Sequence, residues 1–472
     1  MRTDAILKGS LWKSVPLFAL PVAATSILEQ LNNLVDVVMI GHFSPSGASL
    51  GMAAVGSNTP VVSLLINLFV GIAIGTNVVV ANAVGARDET TVHRTVHTSI
   101  VLSGIGFVVL AAGEVFAEPL LRLLQVPDET LPEALAYLRI FLIGMPAVLL
   151  YNFEAAIFRS VGITRMPLFA LGISALLNVV LDGIFVAVLG LGAGGVATST
   201  TLCYTMSAAF LFLQLLRTDS TVRVIPRDLR IDWPLARRII SIGLPAGSQG
   251  AVFSIANIVI QSCINSLGTT VIAGSSAALS LEYVFYNLQS SFSQACTTFV
   301  SQCNGAGDLP RCRKVLKVCH LQGTICSLIV ISIAVFGGRA ILPLFNTDPE
   351  VIEIAYQRLC FIVPAYVFSM LYENCSGYLR GFGISLVPAA LTVAGVCGIR
   401  LLWVAFVFPA WPTFTAIMAV YPISLATTAA LMLAALCHYR PVATASGLLA
   451  YHRLPDAEGR NGERTAGQIS RD

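Results

Sequence analysis

Charge is what this chain has least of: of 472 residues 11% are Asp, Glu, Lys or Arg, against 56% hydrophobic. A water-soluble fold of this length cannot bury that much apolar surface, so soluble enzymes are excluded and nucleic acid is not an expected partner. No Lys or Arg occurs between Ser14 and Ala86, a stretch that at ~1.5 Å per residue crosses a ~30 Å hydrocarbon core more than once. No CxxC or CxxH spacing exists among the 11 cysteines, ten of them in the second half, which read as small apolar packing residues. His93 and His97 have helical i, i+4 spacing but lack the Glu of a zincin, so no metal is expected on them. A phosphate-cradling glycine loop is also missing, which removes ATP as the energy source and leaves an ion gradient. Nor is there a cleavable signal peptide, because Met1–Ser14 is a polar lead-in and the first apolar run is too long for one.

What the chain does have is hydropathy broken by Gly, Pro and charge into twelve expected spans: 15–41, 52–83, 96–117, 134–158, 166–189, 194–216, 239–265, 271–303, 318–337, 354–379, 386–408 and 413–437. It also repeats itself. Val80–Asp88 is echoed by Val300–Asp308 at an offset of 220, Phe158–Pro167 by Leu379–Pro388 at 221, and Ala136–Arg139 by Ala355–Arg358. Six spans per repeat return the chain to its starting side, so the copies are parallel, and two facing copies of one membrane unit predict a transporter with its site between them. Counted by loop, 23 Lys and Arg fall on one side and four (Arg122, Arg139, Arg339, Arg358) on the other, with Arg400 inside a span. The positive-inside rule then puts both termini of this multi-pass protein in the cytoplasm, and the bacterial plasma (inner) membrane is its expected location.

The expected organisation is an N-terminal lobe over 1–216, a basic linker over 217–238, a C-terminal lobe over 239–438 and a largely disordered cytoplasmic tail over 439–472. The linker's arginines read as a short amphipathic piece on anionic lipid. Two complete lobes in one chain need no partner, so the protein is expected to work as a monomer.

Carboxylates within a span cost a few kcal/mol each and are functional candidates by default. Glu29 and Asn33 share the face of Asp36 at i−7 and i−3; Asn178 and Asp182 stand at i, i+4; and the small-residue opening Gly192–Thr200 lets helix backbones approach closely. Two acids, an amide and a hydroxyl could converge there, as oxygen ligands for Na⁺ or as a protonatable cluster. A cross-helix bonding role without ion binding is the alternative. The second repeat has lost these acids: Asn257 replaces Asp36, and Ile399 and Trp403 fall opposite Asn178 and Asp182, with Arg400 in the same helix. Glu282, Tyr286, Gln289 and Arg400 are the further cavity candidates, with Arg400 also a potential partner for Glu282. Glu154 and Glu373 read as structural. The interior prolines Pro21 and Pro245 are hinge candidates.

Taken together, Phe18–Pro21, Val35–Gly41, Val84–Asp88, Arg159–Gly162 before Pro167, Leu177–Asp182 and Thr298–Ala306 resemble the multidrug and toxic compound extrusion (MATE) transporters, in the branch with the DNA-damage-inducible-type members. The likeness runs from about Asp4 to His438. It implies an all-helical membrane fold of twelve spans in two six-helix lobes around a central cavity. It also implies export of organic cations in exchange for Na⁺ or H⁺, without another cofactor. Residue by residue, the family's N-terminal acidic pocket falls on Asp36, Asn178, Asp182 and Thr200. The Gln302-Cys-Asn-Gly-Ala306 run departs from the family's usual Gln-Asn-x-Gly-Ala, and Glu282 matches its second-lobe acids only roughly. A lipid or lipid-linked oligosaccharide flippase is the rival cargo reading. A membrane sensor or intramembrane enzyme is a more distant one.

Overall fold

The computed structural model describes residues 3–43, 48–124, 126–344, 348–443 and 449–453. Its long helices are α1 (Leu11–Phe43), α2 (Ala48–Gly85), α3 (Glu89–Gly113), α4 (Leu131–Ser160), α5 (Arg165–Val188), α6 (Gly192–Arg217), α7 (Trp233–Asn265), α8 (Thr269–Gly305), α9 (Leu309–Ile341), α10 (Pro349–Gly381), α11 (Leu386–Val407) and α12 (Phe414–His438). Among the described residues, ten helices are long and apolar enough to cross a membrane, α3 and α8 not being counted with them. Hydroxyls and amides make α8 less apolar, and its second half, from Ser291 to Asn304, is buried in protein instead of facing lipid. Side chains such as Leu176, Phe336 and Phe406 lie 74–88% exposed on the outer surface, as a lipid-facing belt requires.

Several helices start where local chemistry dictates. Asp232, Asp308 and Asp348 each accept a bond from the first turn, with Pro in the opening positions where no amide is needed. The sequence echoes turn out to be matching turns. Asp88 caps α3 as Asp308 caps α9, and the residues just before them, Arg87 (φ 57°) and Gly307 (φ 73°), take the left-handed conformation that the reversal needs. Gly162 (φ 85°) and Gly383 (φ 86°) do the same in the α4–α5 and α10–α11 turns.

Packing repeats as well: α2 lies on α4 and α4 on α6, as α8 lies on α10 and α10 on α12. Both α5 and α11 depart from α-helical winding, with wider π-type turns at Gly183–Val188, Val393–Gly398 and Trp403–Val407.

The two sets of six helices are joined over one end, the end where α1 begins. There Asn82 Nδ2 donates to the Ser301 carbonyl (3.4 Å), Gln302 Nε2 to the Ser160 carbonyl (2.6 Å) and Thr298 Oγ1 to Asn77 Oδ1 (2.9 Å). Arg311 clasps the Ile6 and Gly9 carbonyls at 2.7–2.9 Å. Further up, α2 and α7 cross backbone to backbone: a Cβ added at Gly71 would sit 2.2 Å from the Gly247 nitrogen, and one at Gly75 2.2 Å from the Ile239 oxygen. The last hydrogen bond between the sets, Asn67 Nδ2 to Ser254 Oγ (3.4 Å), lies about half-way along these helices. Among the described residues no hydrogen bond joins the sets beyond it.

The linker docks on protein through its valines, while Arg223, Arg227 and Arg230 stay exposed. Val222 and Val224 are buried against the first set with Leu211 and Leu215. His97 holds the segment through Nε2, which accepts from the Ile225 amide at 2.9 Å, while the Asp232 amide donates to Thr98 Oγ1 at 3.1 Å. Buried valines and a buried imidazole explain the docking: they leave water only if the segment lies on protein. The expected tail falls mostly on residues outside those described, but Tyr439–Ala443 pairs antiparallel with Leu449–Arg453 as a short hairpin.

Candidate functional site

In the far third of the first set, α1, α5 and α6 bring together the residues that the sequence singled out. Asp36 (7% exposed), Asp182 and Asn178 are buried, and Thr200 is half-buried. Thr200 Oγ1 donates to Asp36 Oδ2 at 3.2 Å. The carboxyls of Asp36 and Asp182 are neighbours, with Asn178 beside them. Asp182 follows Asn178 by one helical turn, so both point the same way.

Sequence reasoning missed Ser199. Its hydroxyl donates to Asp182 Oδ1 and accepts from Asn178 Nδ2 at 3.3 Å. Adjacent hydroxyls on one helix point about 100° apart, so Ser199 and Thr200 serve different acids. The run Thr198-Ser199-Thr200 was the available signal, but only packing decides which hydroxyl faces which carboxyl.

The donor count does not close. Asp36 Oδ1, Asp182 Oδ2 and Asn178 Oδ1 are buried acceptors that no protein group serves. Three oxygens of this kind, two of them carboxylate, suit a hard cation or a proton and do not suit an anion. Among the described residues no group of three or more His, Cys, Asp or Glu is arranged to hold a metal; the oxygen set here contains only two acids.

The remaining candidates scatter. Glu29 is half-buried and Asn33 exposed along α1, below and beside Asp36. Glu282 is buried, and Arg358 grips it at two points, Nε to Oε1 at 2.7 Å and a terminal nitrogen to Oε2 at 3.0 Å. Its partner is therefore not Arg400. Arg358, read as a far-side loop charge, lies nine residues inside α10 at 2% exposure, because Asp348 starts that helix earlier than hydropathy indicated. Gln289 Nε2 donates to Ser327 Oγ at 2.9 Å, and Tyr286 is half-buried. Glu373 lies 3.6 Å from Arg380. Glu154 is fully buried with neither oxygen served by a donor. Pro21 and Pro245 lie within continuous helices, and Thr25 Oγ1 donates to the Pro21 carbonyl at 2.8 Å.

A second feature escaped sequence reading: the α2–α7 crossing. Gly71-xxx-Gly75 faces Gly243-xxx-Gly247, and small residues four apart on both helices are the signal that would have found it.

Comparison with known proteins places this architecture. The profile described as MatE matches residues 21–184 and 245–406, once in each set of helices. A Bacillus subtilis protein named "Probable multidrug resistance protein YoeA" is 28% identical over 410 residues, covering 84% of this chain and 86% of that one. "Multidrug resistance protein PmpM" of Pseudomonas aeruginosa is 28% identical over 418 residues, covering 85% and 84%. A structure titled as the outward-facing conformation of a multidrug resistance MATE family transporter superposes with a TM-score of 0.82 at 21% identity, over 91% of this chain and 96% of that one. With the profile falling twice on a doubled helical membrane fold, the chain belongs to the MatE family, a family of multi-pass membrane transporters and not of enzymes.

Proposed function

We propose that this protein exports organic cations in exchange for H⁺ or Na⁺, with the coupling ion bound by Asp36, Asn178, Asp182 and Thr200 and oriented through Ser199. The observation that carries the reading is the trio of buried, donorless oxygens on Asp36, Asn178 and Asp182. A proton or a small cation satisfies them. Drug-like cargo is what the names of the multidrug relatives point to, and the resemblance to the DNA-damage-inducible-type branch is kept as the finer placement.

The lobes are taken as 1–216 and 239–438, with 217–238 between them and both termini in the cytoplasm of a bacterial inner membrane. On that orientation the hydrogen-bonded end is cytoplasmic, and the opposite end, where no such bond joins the sets among the described residues, is the one that opens outward. In this state external ions reach the Asp36–Asp182 pair, neutralise it and displace a lipophilic cation held by the same charge. Reorientation then releases the ion inside, and the ion-free acids recruit the next cation. Only differential affinity drives such a cycle, since a ligand indifferent to both states shifts neither.

The test is ethidium efflux from reconstituted vesicles with Na⁺ and pH gradients imposed separately. Drive by either gradient, lost in Asp36→Asn at normal expression, is the expected result. Intact drive in that variant overturns the ion site, and failure of both gradients with several dyes moves the reading to a lipid flippase.

A further inference from the structure

The second set of helices contains a counterpart of the acidic site, and its charge is reversed. In the first set, Asp36 of α1 meets Asp182 of α5, and Asp182 is bonded by Ser199 of α6. In the second set, Asn257 of α7 accepts from an Arg400 terminal nitrogen of α11 at 2.9 Å, and Arg400 Nε donates to Ser424 of α12 at 3.4 Å. The two serines share their local geometry: Ser199 Oγ lies 2.9 Å from the Val196 carbonyl and Ser424 Oγ 3.0 Å from the Tyr421 carbonyl, each three residues back. By contact, then, Arg400 stands where Asp182 stands. Sequence spacing put Trp403 there instead, because the π-type turn Val393–Gly398 precedes Arg400 whereas the one in α5 follows Asp182.

Arg400 is 3% exposed, and among the described residues no carboxylate lies within ion-pair distance of it. The nearby acids are engaged: Glu282 by Arg358 and Glu373 with Arg380. Aromatic faces take their place, Tyr421 at 4.4 Å and Phe253 at 5.2 Å from the guanidinium carbon, an arrangement that stabilises a buried cation. Burying an arginine among neutral oxygens and rings is costly unless those groups make a cation site.

We propose that Arg400 is a resident cation: its guanidinium fills, permanently, the position that the exchangeable ion takes in the first lobe. The second lobe is thereby fixed in an ion-loaded state, coupling is confined to the first, and Arg400 with Asn257 sets how many ions are exchanged per substrate. This inference rests on the Asp36–Asp182 site being the ion site.

The test is the ion-to-substrate ratio in proteoliposomes, taken from the ion gradient at which net ethidium flux is zero. The double variant Asn257→Asp with Arg400→Ser restores an acid and removes the tethered charge, and its ratio is expected to rise above wild type, by up to twofold. An unchanged ratio in a double variant that still exports ethidium overturns the proposal. If that variant does not assemble, Asn257→Asp alone decides: with Arg400 facing the new carboxylate it is expected to keep the wild-type ratio and gain thermal stability, and an increased ratio overturns the proposal. Retained coupling in Asp36→Asn would instead sink the underlying ion-site reading, so the two failures are separable.

Discussion

Arg358 closes on Glu282 at two points, 2.7 and 3.0 Å, with both side chains at most 5% exposed. Seventy-six residues separate them, and they bind α10 to α8 in the same sense that a buried fork grips a carboxylate. Removing one partner strands the other charge in a site without water. Glu282→Ala or Arg358→Ala is expected to cost about 3–5 kcal/mol, read as a large fall in thermal midpoint in detergent. Exchanging both for apolar residues of similar volume is expected to recover most of that loss. An Ala variant as stable as wild type would mean that the pair is solvated.

Within the acidic site, loss should follow which atom is removed. Asp182→Asn is expected to abolish ion-driven efflux as Asp36→Asn does. Ser199→Ala removes the hydroxyl that orients Asp182 and is expected to weaken ion affinity by roughly tenfold or more, since a bond to a charged group is worth about 1.5–3 kcal/mol. Thr200→Ala, at a half-buried position with a 3.2 Å bond, should cost less. Initial efflux rates against ion concentration give the comparison, and a stronger effect at Thr200 than at Ser199 would reverse the assigned order.

The helices and the acid pair were legible in the sequence for the same reason. A membrane makes apolar runs obligatory and buried charge expensive, so both stand out against their surroundings. Asn178 and Asp182 could be aligned from spacing alone because they share a helix. Pairings between helices, such as Arg358 with Glu282, carry no such signature, and their partners are set by packing depth. A π-type turn shifts register without changing composition, which is why Arg400 was set three residues from its counterpart's place.

Where α2 crosses α7, any side chain is too large. Gly71→Val and Gly247→Val are each expected to push the helices apart and to eliminate efflux while leaving membrane insertion intact, since an added Cβ would sit 2.2–2.5 Å from the opposing backbone. Cysteine probes on the joined end, accessible in the variants and protected in wild type, would register the separation. Wild-type efflux from either variant would show that the crossing loosens in function without cost.

Outside the membrane, Asp88 caps α3 with bonds from the Thr91 hydroxyl (2.6 Å) and amide (2.9 Å), and these hold its carboxyl below the usual range. A depressed carboxylate contributes stability that is present above its unfolded value, near pH 4, and is lost as pH falls through the lower folded value. Asp88→Ala is therefore expected to lower stability by about 1 kcal/mol at pH 7, with the gap to wild type shrinking below pH 4. Thermal midpoints at the two pH values check it, and a gap that persists in acid would indicate packing loss instead.

The glycine crossing also sets a lever. Gly71 and Gly75 meet Gly243, Ile239 and Gly247 off-centre in helices 38 and 33 residues long, so the arms beyond the contact run roughly 15–18 Å toward the joined end and roughly 33–38 Å toward the far end at 1.5 Å per residue. A turn of ten degrees about such a fulcrum sweeps a helix tip by about 3 Å at the joined end and about 6 Å at the far end. Modest tilting at this backbone-to-backbone contact would thus be amplified at both ends of the two helices, in opposite directions and most at the far end.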